Sequence, residues 1–535
     1  MTDVQENTLP EYMKLEEYGI RSQKLAEIRE LGVDPYPHKF HPTHKSADLL
    51  KKFGEDPVGN SEDGEAGTTP VVVASGRMIL FRAMGKNAFA HIQDSTGKIQ
   101  VMFNRDHTKV TGYHPDENAA EPLSHMKFIE KKLDLGDIIG IRGHLFRTGK
   151  GELTIYAKEI TLLTKSLLPL ADKHSGLADK EMRYRKRWLD LISHEEVRDL
   201  FHMRNQITRT IRRFMDDHEF MEVETPIVQS VYGGAEARPF ETHLHAMHQD
   251  MFLRISLEIP LKKLIVGGFD RVYEMNKVFR NEGLDKTHNP EFTMMECYAS
   301  YWDYNDMMRF IERLFERTAI ALYGDTKVPY GTEGQFLEMK GPWKTLTMIQ
   351  AIKEYGKVDV EGMNEAQLRD ACLNAHIPQD ELKGRSSGLL IQALFEHLVE
   401  THLIQPHHII DHPIETTPLC KLHREAKWRD RGFVERFETF ILGREMSNAY
   451  TELNDPILQR TLLERQAAKK AAGDIEANPI DEEFLESICQ GMPPTGGLGI
   501  GIDRMVMVFT NTDSIREILF FPWMKPEKHH EHEEE

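Results

Sequence analysis

The chain has 535 residues, long enough for several domains, and its 40% hydrophobic and 29% charged residues are those of a soluble globular protein. No apolar run approaches the ~20 residues of a membrane-spanning helix, the acidic start MTDVQENTLPEY lacks the apolar core of a signal peptide, and the net charge of −19 argues against indiscriminate nucleic-acid binding while leaving room for a local basic patch. Cys297, Cys372, Cys420 and Cys489 lie far apart with no CxxC pair, which excludes a disulfide framework or a zinc site of the usual spacing and fits a reducing cytoplasm.

In chain order, Ser22 to Leu31 reads as a helix, with Leu25 and Ile28 as its stripe and Gly32 as its stop. Residues 1–70 form an N-terminal helical extension that ends in a Gly, Asp and Glu-rich linker, Gly54 to Pro70. From 71 to 165 the pattern changes to five short alternating strands bounded by Gly, Asp or Asn, the signature of a small OB-fold barrel. Such barrels bind single strands by aromatic stacking and polar readout. Phe89 and Arg82 are candidates for a stacking platform and a phosphate or base contact, with a plain core role as the alternative for Phe89. His107 to His125 reads as a loop insertion, and 166–183 as a linker. Two basic clusters, Arg183, Arg185, Lys186, Arg187 and Arg204, Arg209, Arg212, Arg213, are either nucleic-acid patches or solvated helix faces.

Glu195 to His218 reads as a long helix with Val197, Phe201, Ile207, Ile211 and Phe214 on one side. FMEVETP follows as a strand stopped by proline. Gly233-Gly234-Ala235 is a turn, Phe252 to Ile255 a short strand, and Glu258 to Ile265 a helix. Val272 to Phe279 and the strand from Glu291 make a hairpin around a long polar loop. Period-2 alternation puts Phe292, Met294, Glu296 and Tyr298 on one face, converging with Arg280 and Glu282. Asp303 to Leu322 is a helix. Residues 325–432 read as a helical insertion; its His397, Glu400 and His402 do not match HExxH, so no metal helix is expected there.

Val434 to Leu453 is a second hairpin turning near Gly443. Glu438 and Glu445 then share a face, and two like charges there call for a cation such as Mg²⁺. Asn448, Tyr450 and Glu452 have the opposite parity and join that face only if a bulge lies between Glu445 and Asn448. Pro456 to Ala472 is a charged helix. Gly496 to Arg504 (GGLGIGIDR) is a glycine-rich strand running into a helix, where a ligand can approach the backbone and Arg504 stands near a helix N-terminus. Residues 525–535 are a His/Glu-rich tail, expected to be disordered.

Three motifs in this order, FMEVETP, FRNEG…HNPEFTMMECY and GGLGIGIDR, resemble those of the class II aminoacyl-tRNA synthetases. GGAEARPF, HPIETTPLCK and RFETFILGREMSNAYTELND narrow the resemblance to the lysyl-tRNA synthetases; the aspartyl and asparaginyl families and a non-catalytic tRNA-binding paralogue are the competing readings. The resemblance implies an α+β protein: an anticodon-binding OB-fold β-barrel at 71–165 and an antiparallel-sheet catalytic domain at 184–524 carrying the helical insertion. It implies ATP, L-lysine and tRNA(Lys) as substrates, Mg²⁺ as cofactor, and a cytoplasmic homodimer. By the same resemblance Arg280 and Arg504 are the catalytic arginines on the phosphates, Glu282, His288, Phe292 and Glu438 bind ATP, and Glu438 and Glu445 hold the metal. Gly234, Glu258, Glu296, Tyr298, Asn448, Tyr450 and Glu452 would form the lysine pocket. Tyr450 stands where many relatives carry Phe, which keeps an aromatic wall and adds a hydroxyl. Arg82, Phe89, Gln100 and Glu152 would read the anticodon. A compact ammonium with three donors needs buried carboxylates, so the excess of acids accords with a cationic substrate.

Overall fold

The computed structural model describes residues 9–55, 71–116, 118, 122–170, 177, 179–471 and 477–526. Most of the Gly54 to Pro70 linker, the middle of the linker after the barrel and the tail from Glu527 lie outside these residues. The chain divides into two compact units, Met1–Leu177 and Ala178–Glu535. No helix of the described residues is long and apolar enough to cross a membrane.

In the first unit five strands, Val71–Met84, Asn87–Gln93, Lys98–Asn104, Ile138–Arg147 and Leu153–Thr164, follow the expected runs. Neighbours pair antiparallel, and Lys98–Asn104 closes the barrel by pairing parallel with Leu153–Thr164. Alternate residues such as Ile92, Val101, Ile141 and Ile155 fill the interior. The segment read as a loop insertion after His107 belongs to the barrel in part. Its Lys109–Val110 pairs with the last strand, and Val110 and Tyr113 reach the core. Two prolines and a polar composition hid those anchors. The N-terminal helix runs Glu16–Glu30, starting earlier than the stripe indicated; Glu16 and Glu17 in its first turn favour that start through the helix dipole.

The second unit is built on an eight-stranded sheet. Its order is Lys344–Thr347, His407–Pro413, Phe433–Ile441, Arg444–Thr451, Thr495–Gly501, Glu291–Ser300, Arg271–Phe279 and Met221–Glu222. Neighbours are antiparallel except at the two outer pairs, which are parallel. One face packs on Glu195–Asp217, Tyr304–Tyr323 and Ile502–Phe509, burying Ile207, Ile211, Phe310, Leu314 and Val506 against Tyr273, Met295, Phe437 and Leu498. The other face carries the cavity described below.

Three expectations change here. FMEVETP contributes only Met221–Glu222 to the sheet, because the chain turns away toward Pro226. The short strand before the Glu258 helix is Gln249–Leu253, somewhat earlier than expected. The insertion expected over 325–432 is narrower, since Lys344–Thr347 and His407–Pro413 are strands of the main sheet. His407–Pro413 is buried on nearly every residue, so it shows no alternation to read. The helices between these strands, led by Glu365–Asn374 and Ser387–Leu398, have their own core of Leu368, Leu390, Leu394 and Phe395.

The basic clusters are largely spent within the fold. Arg183 and Arg187 both pair with buried Asp190, Arg185 with Glu181, Arg204 with Asp503, and Arg212 with Glu222.

Candidate active site and nucleic-acid face

The cavity lies over the middle of the sheet and has a volume of about 470 Å³. Every residue assigned from the resemblance to ATP, lysine or metal lines it. Strand register explains the convergence. Met294, Glu296 and Tyr298 lie opposite Gly501, Gly499 and Gly497, and the last two also lie opposite Asn448 and Tyr450. Alternate glycines thus leave a bare lane between two rows of functional side chains. The space is needed: a Cβ at 497 would collide with Glu452 Oε1 and stand 2.6 Å from Tyr298 Cε1. Gly234, at φ +89°, faces the same demand, since a Cβ there would come within 2.6 Å of Ser256 Oγ.

The second hairpin delivers both sets of its residues. Glu438 lies opposite Asn448, and Phe440 opposite Glu445, so Met446 is an extra residue between the two registers. This is the bulge between Glu445 and Asn448 that the parity argument required.

One end of the cavity is acidic. Glu296 Oε1 accepts hydrogen bonds from Ser256 Oγ and the Leu257 amide, both 2.9 Å, and Oε2 accepts one from the Tyr298 hydroxyl at 2.9 Å. Burial, then the charge of Glu258, pushes the Glu296 carboxyl up to about 7. The Tyr450 hydroxyl donates to Glu258 Oε2 at 2.6 Å, so this hydroxyl anchors a pocket acid. Glu452 is fully buried and, among the described residues, its Oε1 has no hydrogen-bond partner.

The other end is built for anions. Arg280 makes one long hydrogen bond, Nε to the Ile255 carbonyl at 3.3 Å, and its guanidinium lies 5.3 Å from the centre of the Phe292 ring. Arg504 donates from Nη1 to the Glu445 carbonyl at 2.8 Å and meets Glu445 Oε2 at 3.3 Å. Its Nη2 lies 3.3 Å from His288 Nε2, while His288 Nδ1 lies 2.8 Å from Asp285. Glu445 is pushed up by burial and by Glu438. That mutual repulsion of two hard-oxygen donors fits a divalent cation, and Mg²⁺ needs only one or two protein carboxylates when phosphates supply other oxygens. Among the described residues no three metal-ligating side chains converge.

Several site residues were missed from sequence. Arg436 holds Glu438 at 2.6 Å and Asn448 at 2.9 Å, and it was visible only as one more charge in a strand. Ser256 and Lys262, beside Glu258, carry no motif in the sequence, yet Ser256 Oγ bonds Glu296 and Lys262 pairs with Glu258. From the helical insertion, Gln392 lines the cavity, and Glu400 is pushed up to about 8 by burial and the charges of Glu396, Glu438 and Glu445. The helical insertion carries no sequence motif that would have marked its part in the site.

In the barrel unit the four candidate readers share one face. Arg82 pairs across strands with Phe89, and Gln100 Nε2 donates to Glu152 Oε2 at 2.7 Å. Phe89 is half-buried and packs with Met102, Phe146 and Tyr156, outside the main barrel core. His91, 3.1 Å from Glu152, joins this face and was not anticipated.

A closed five-stranded barrel and an antiparallel sheet with an arginine-rich, glycine-floored cavity define the class: a two-domain class II aminoacyl-tRNA synthetase. Comparison with known proteins agrees. Residues 179–525 match the family described as tRNA synthetases class II (D, K and N), and residues 71–163 match the OB-fold nucleic acid binding domain. A lysine–tRNA ligase of Chlamydia caviae is 55% identical over 96% of this chain and 98% of its own. Lysine–tRNA ligases of Trichormus variabilis and Moorella thermoacetica are 45% and 43% identical, each over 95% of this chain and over 87% and 98% of their own. The chain belongs to the lysine–tRNA ligase family of class II aminoacyl-tRNA synthetases.

Proposed function

We propose that this chain is a lysine–tRNA ligase, joining L-lysine to tRNA(Lys) through a lysyl-adenylate. The observation that carries the amino-acid assignment is the buried group of three carboxylates, Glu258, Glu296 and Glu452, in the cavity that Arg280 and Arg504 also line. An aspartate pocket would need a free cation there. Among the described residues, the cation that pairs with these acids, Lys262, is already engaged by two of them.

A carboxylate oxygen of lysine attacks the α-phosphorus of ATP in line, the bond to the bridging oxygen breaks, and pyrophosphate leaves. No protein nucleophile or base is required, so catalysis is positioning and charge neutralisation. Among the described residues the Arg280 side chain is tied to the fold by one long hydrogen bond and one cation–π contact, which leaves its guanidinium able to fork onto the α-phosphate and the attacking carboxylate. Arg504, held by Glu445, faces the outer phosphates. Phe292 offers its ring to the adenine, with Glu282 and His288 beside the nucleotide. Glu438 and Glu445 would hold Mg²⁺, which when bound supplies positive charge to the triphosphate. In the second step the 3′-terminal hydroxyl of the tRNA attacks the acyl carbon and AMP leaves.

Glu258, Glu296 and Glu452 receive the two ammonium groups of lysine, with Tyr298, Asn448, Tyr450 and Gly234 shaping the pocket. Arg82, Phe89, Gln100 and Glu152 read the anticodon. The active form is a homodimer: Met221, Ile227, Val228, Leu244 and Met247 leave apolar surface exposed in and after the first motif. The enzyme works in the cytoplasm, in keeping with four free cysteines. ATP–pyrophosphate exchange without tRNA, run with lysine, aspartate and asparagine in parallel, tests the reading. Exchange with lysine alone is expected; exchange with either of the others overturns the pocket assignment. No exchange from folded protein overturns the catalytic reading in favour of a tRNA-binding paralogue.

A further inference from the structure

Lys262 has no role in the reaction above, yet it is among the most enclosed charges in the protein. It sits one turn after Glu258 on the helix Glu258–Val266, so the two side chains share a face. The Lys262 Nζ forms ion pairs with Glu258 Oε1 and with Glu452 Oε2, and the lysine side chain is wholly buried. Tyr450 and Phe484 present their rings to it, 5.5 and 5.9 Å from the ammonium. Burial disfavours its charge, but the two carboxylates outweigh burial and the group stays protonated. A cation in this position removes part of the repulsion between two acids that arrive from different elements, a helix and the second hairpin.

The division of oxygens is informative. Each Glu258 oxygen already has one protein partner, with acceptor capacity left over: Oε1 goes to Lys262 and Oε2 to the Tyr450 hydroxyl. Glu452 meets Lys262 through Oε2 as an ion pair, while Oε1 has no partner among the described residues and points at the glycine lane beside Gly497. A single ammonium gripping both acids therefore fixes their separation and leaves one buried carboxylate oxygen facing the cavity. Leaving such an oxygen unpaired is costly unless a ligand donor meets it.

We propose that Lys262 is a specificity-determining positioning residue: a resident ammonium that ties Glu258 to Glu452, sets the distance between them and so measures the chain length of the substrate's side-chain amine. The inference rests on the lysine reading of the pocket. A shorter diamino acid such as ornithine, with its α-ammonium placed, would fall one methylene short of Glu452. With the tie cut, the two acids are free to separate or to share a proton, and that measurement is lost.

The test is ATP–pyrophosphate exchange on the full chain with Lys262→Met and Lys262→Arg, using lysine and ornithine. Lys262→Met is expected to raise the lysine KM about 10²-fold. The ATP KM should stay within about threefold, and the preference for lysine over ornithine should fall at least about tenfold. Lys262→Arg, which restores the charge, should recover at least about tenfold of the lysine KM. Its wider fork should still shift the ornithine preference. An unchanged lysine KM and preference in Lys262→Met overturns the proposal, as does a Lys262→Arg enzyme no better than the Met variant. Should the Met variant fail to fold, Lys262→Arg decides: an unaltered ornithine preference overturns the tether, and a shifted preference with normal ATP KM supports it. The parent chain run alongside separates the two readings. A parent inert with lysine refutes the lysine pocket; an active parent with an indifferent Lys262→Met refutes only the role of Lys262.

Discussion

Arg280→Ala should separate catalysis from folding with unusual clarity. Arg280 contributes one hydrogen bond of 3.3 Å and one cation–π contact to the fold. Together these amount to about 1–2 kcal/mol at most. The nearest charges that favour its ionised form, Glu282, Glu445 and Glu296, are site residues. Removing the arginine therefore costs a few °C of melting temperature at most in a unit of this size. The catalytic loss is larger, because a preorganised donor aimed at charge developing on the α-phosphate is worth about 3–4 kcal/mol, or about 10²–10³-fold in rate. A second effect adds to it. Arg280 is one of the cations that restrain the Glu445 carboxyl, so its loss moves Glu445 further upward and weakens the proposed metal pair. The assay is lysine-dependent ATP–pyrophosphate exchange beside a thermal melt. Exchange within about tenfold of the parent would refute the reasoning, as would a collapse of the fold, which would make Arg280 a structural residue.

The other predictions concern the pocket and the barrel. Phe89→Ala should raise the tRNA KM about tenfold or more, because one base–aromatic stack is worth about 1–3 kcal/mol; lysine activation should be untouched, and an unchanged tRNA KM removes Phe89 from the recognition face. Gly497→Ala should raise the lysine KM, since the new methyl must displace Glu452 or Tyr298 at an overpacking cost of about 1–3 kcal/mol; a normal lysine KM would show that the glycine lane is not needed. Glu296 holds its proton up to about pH 7, and a cationic substrate favours the ionised form. Lysine KM should thus rise as pH falls below 7, by up to about tenfold per unit for one proton, and level off above it. Glu296→Gln should remove that break, and a break surviving in the variant would assign it elsewhere.

Much of the site was legible because sheet periodicity is strict. Once Phe292, Glu296 and Tyr298 share a face, the pairing partners of that strand must supply the rest of the cavity. The long helices were equally plain: Val197, Phe201, Ile207, Ile211 and Phe214 are all buried as their spacing demands. What the sequence hid was hidden for definite reasons. His407–Pro413 is covered on both faces and so carries no alternation. Arg436 and Lys262 do their work through partners distant in the chain, Asn448 and Glu452. Glu400 matters only because the turn at Gly443 packs on its backbone, where the Gly443 amide bonds Leu403.

Met446 joins the legible part to the hidden part. A regular hairpin would put Glu438 and Glu445 in the cavity and turn Asn448, Tyr450 and Glu452 into the helix-packed core, or the reverse. The proposed chemistry uses acids at both ends of the cavity: Glu438 and Glu445 for a metal and its phosphates, and Glu258, Glu296 and Glu452 for the amino acid. One strand can serve both ends only by changing parity along its length, and a single extra residue is the smallest device that does so. Met446 is that residue, and its own side chain is buried in the core of the opposite face. The bulge therefore lets one hairpin serve two proposed sites: its turn end the triphosphate, and its far end the substrate amine. Lys262 then acts where the second of these sites meets the helix that carries Glu258, so the same strand that changes parity is also the one whose distance from that helix is fixed by a buried charge.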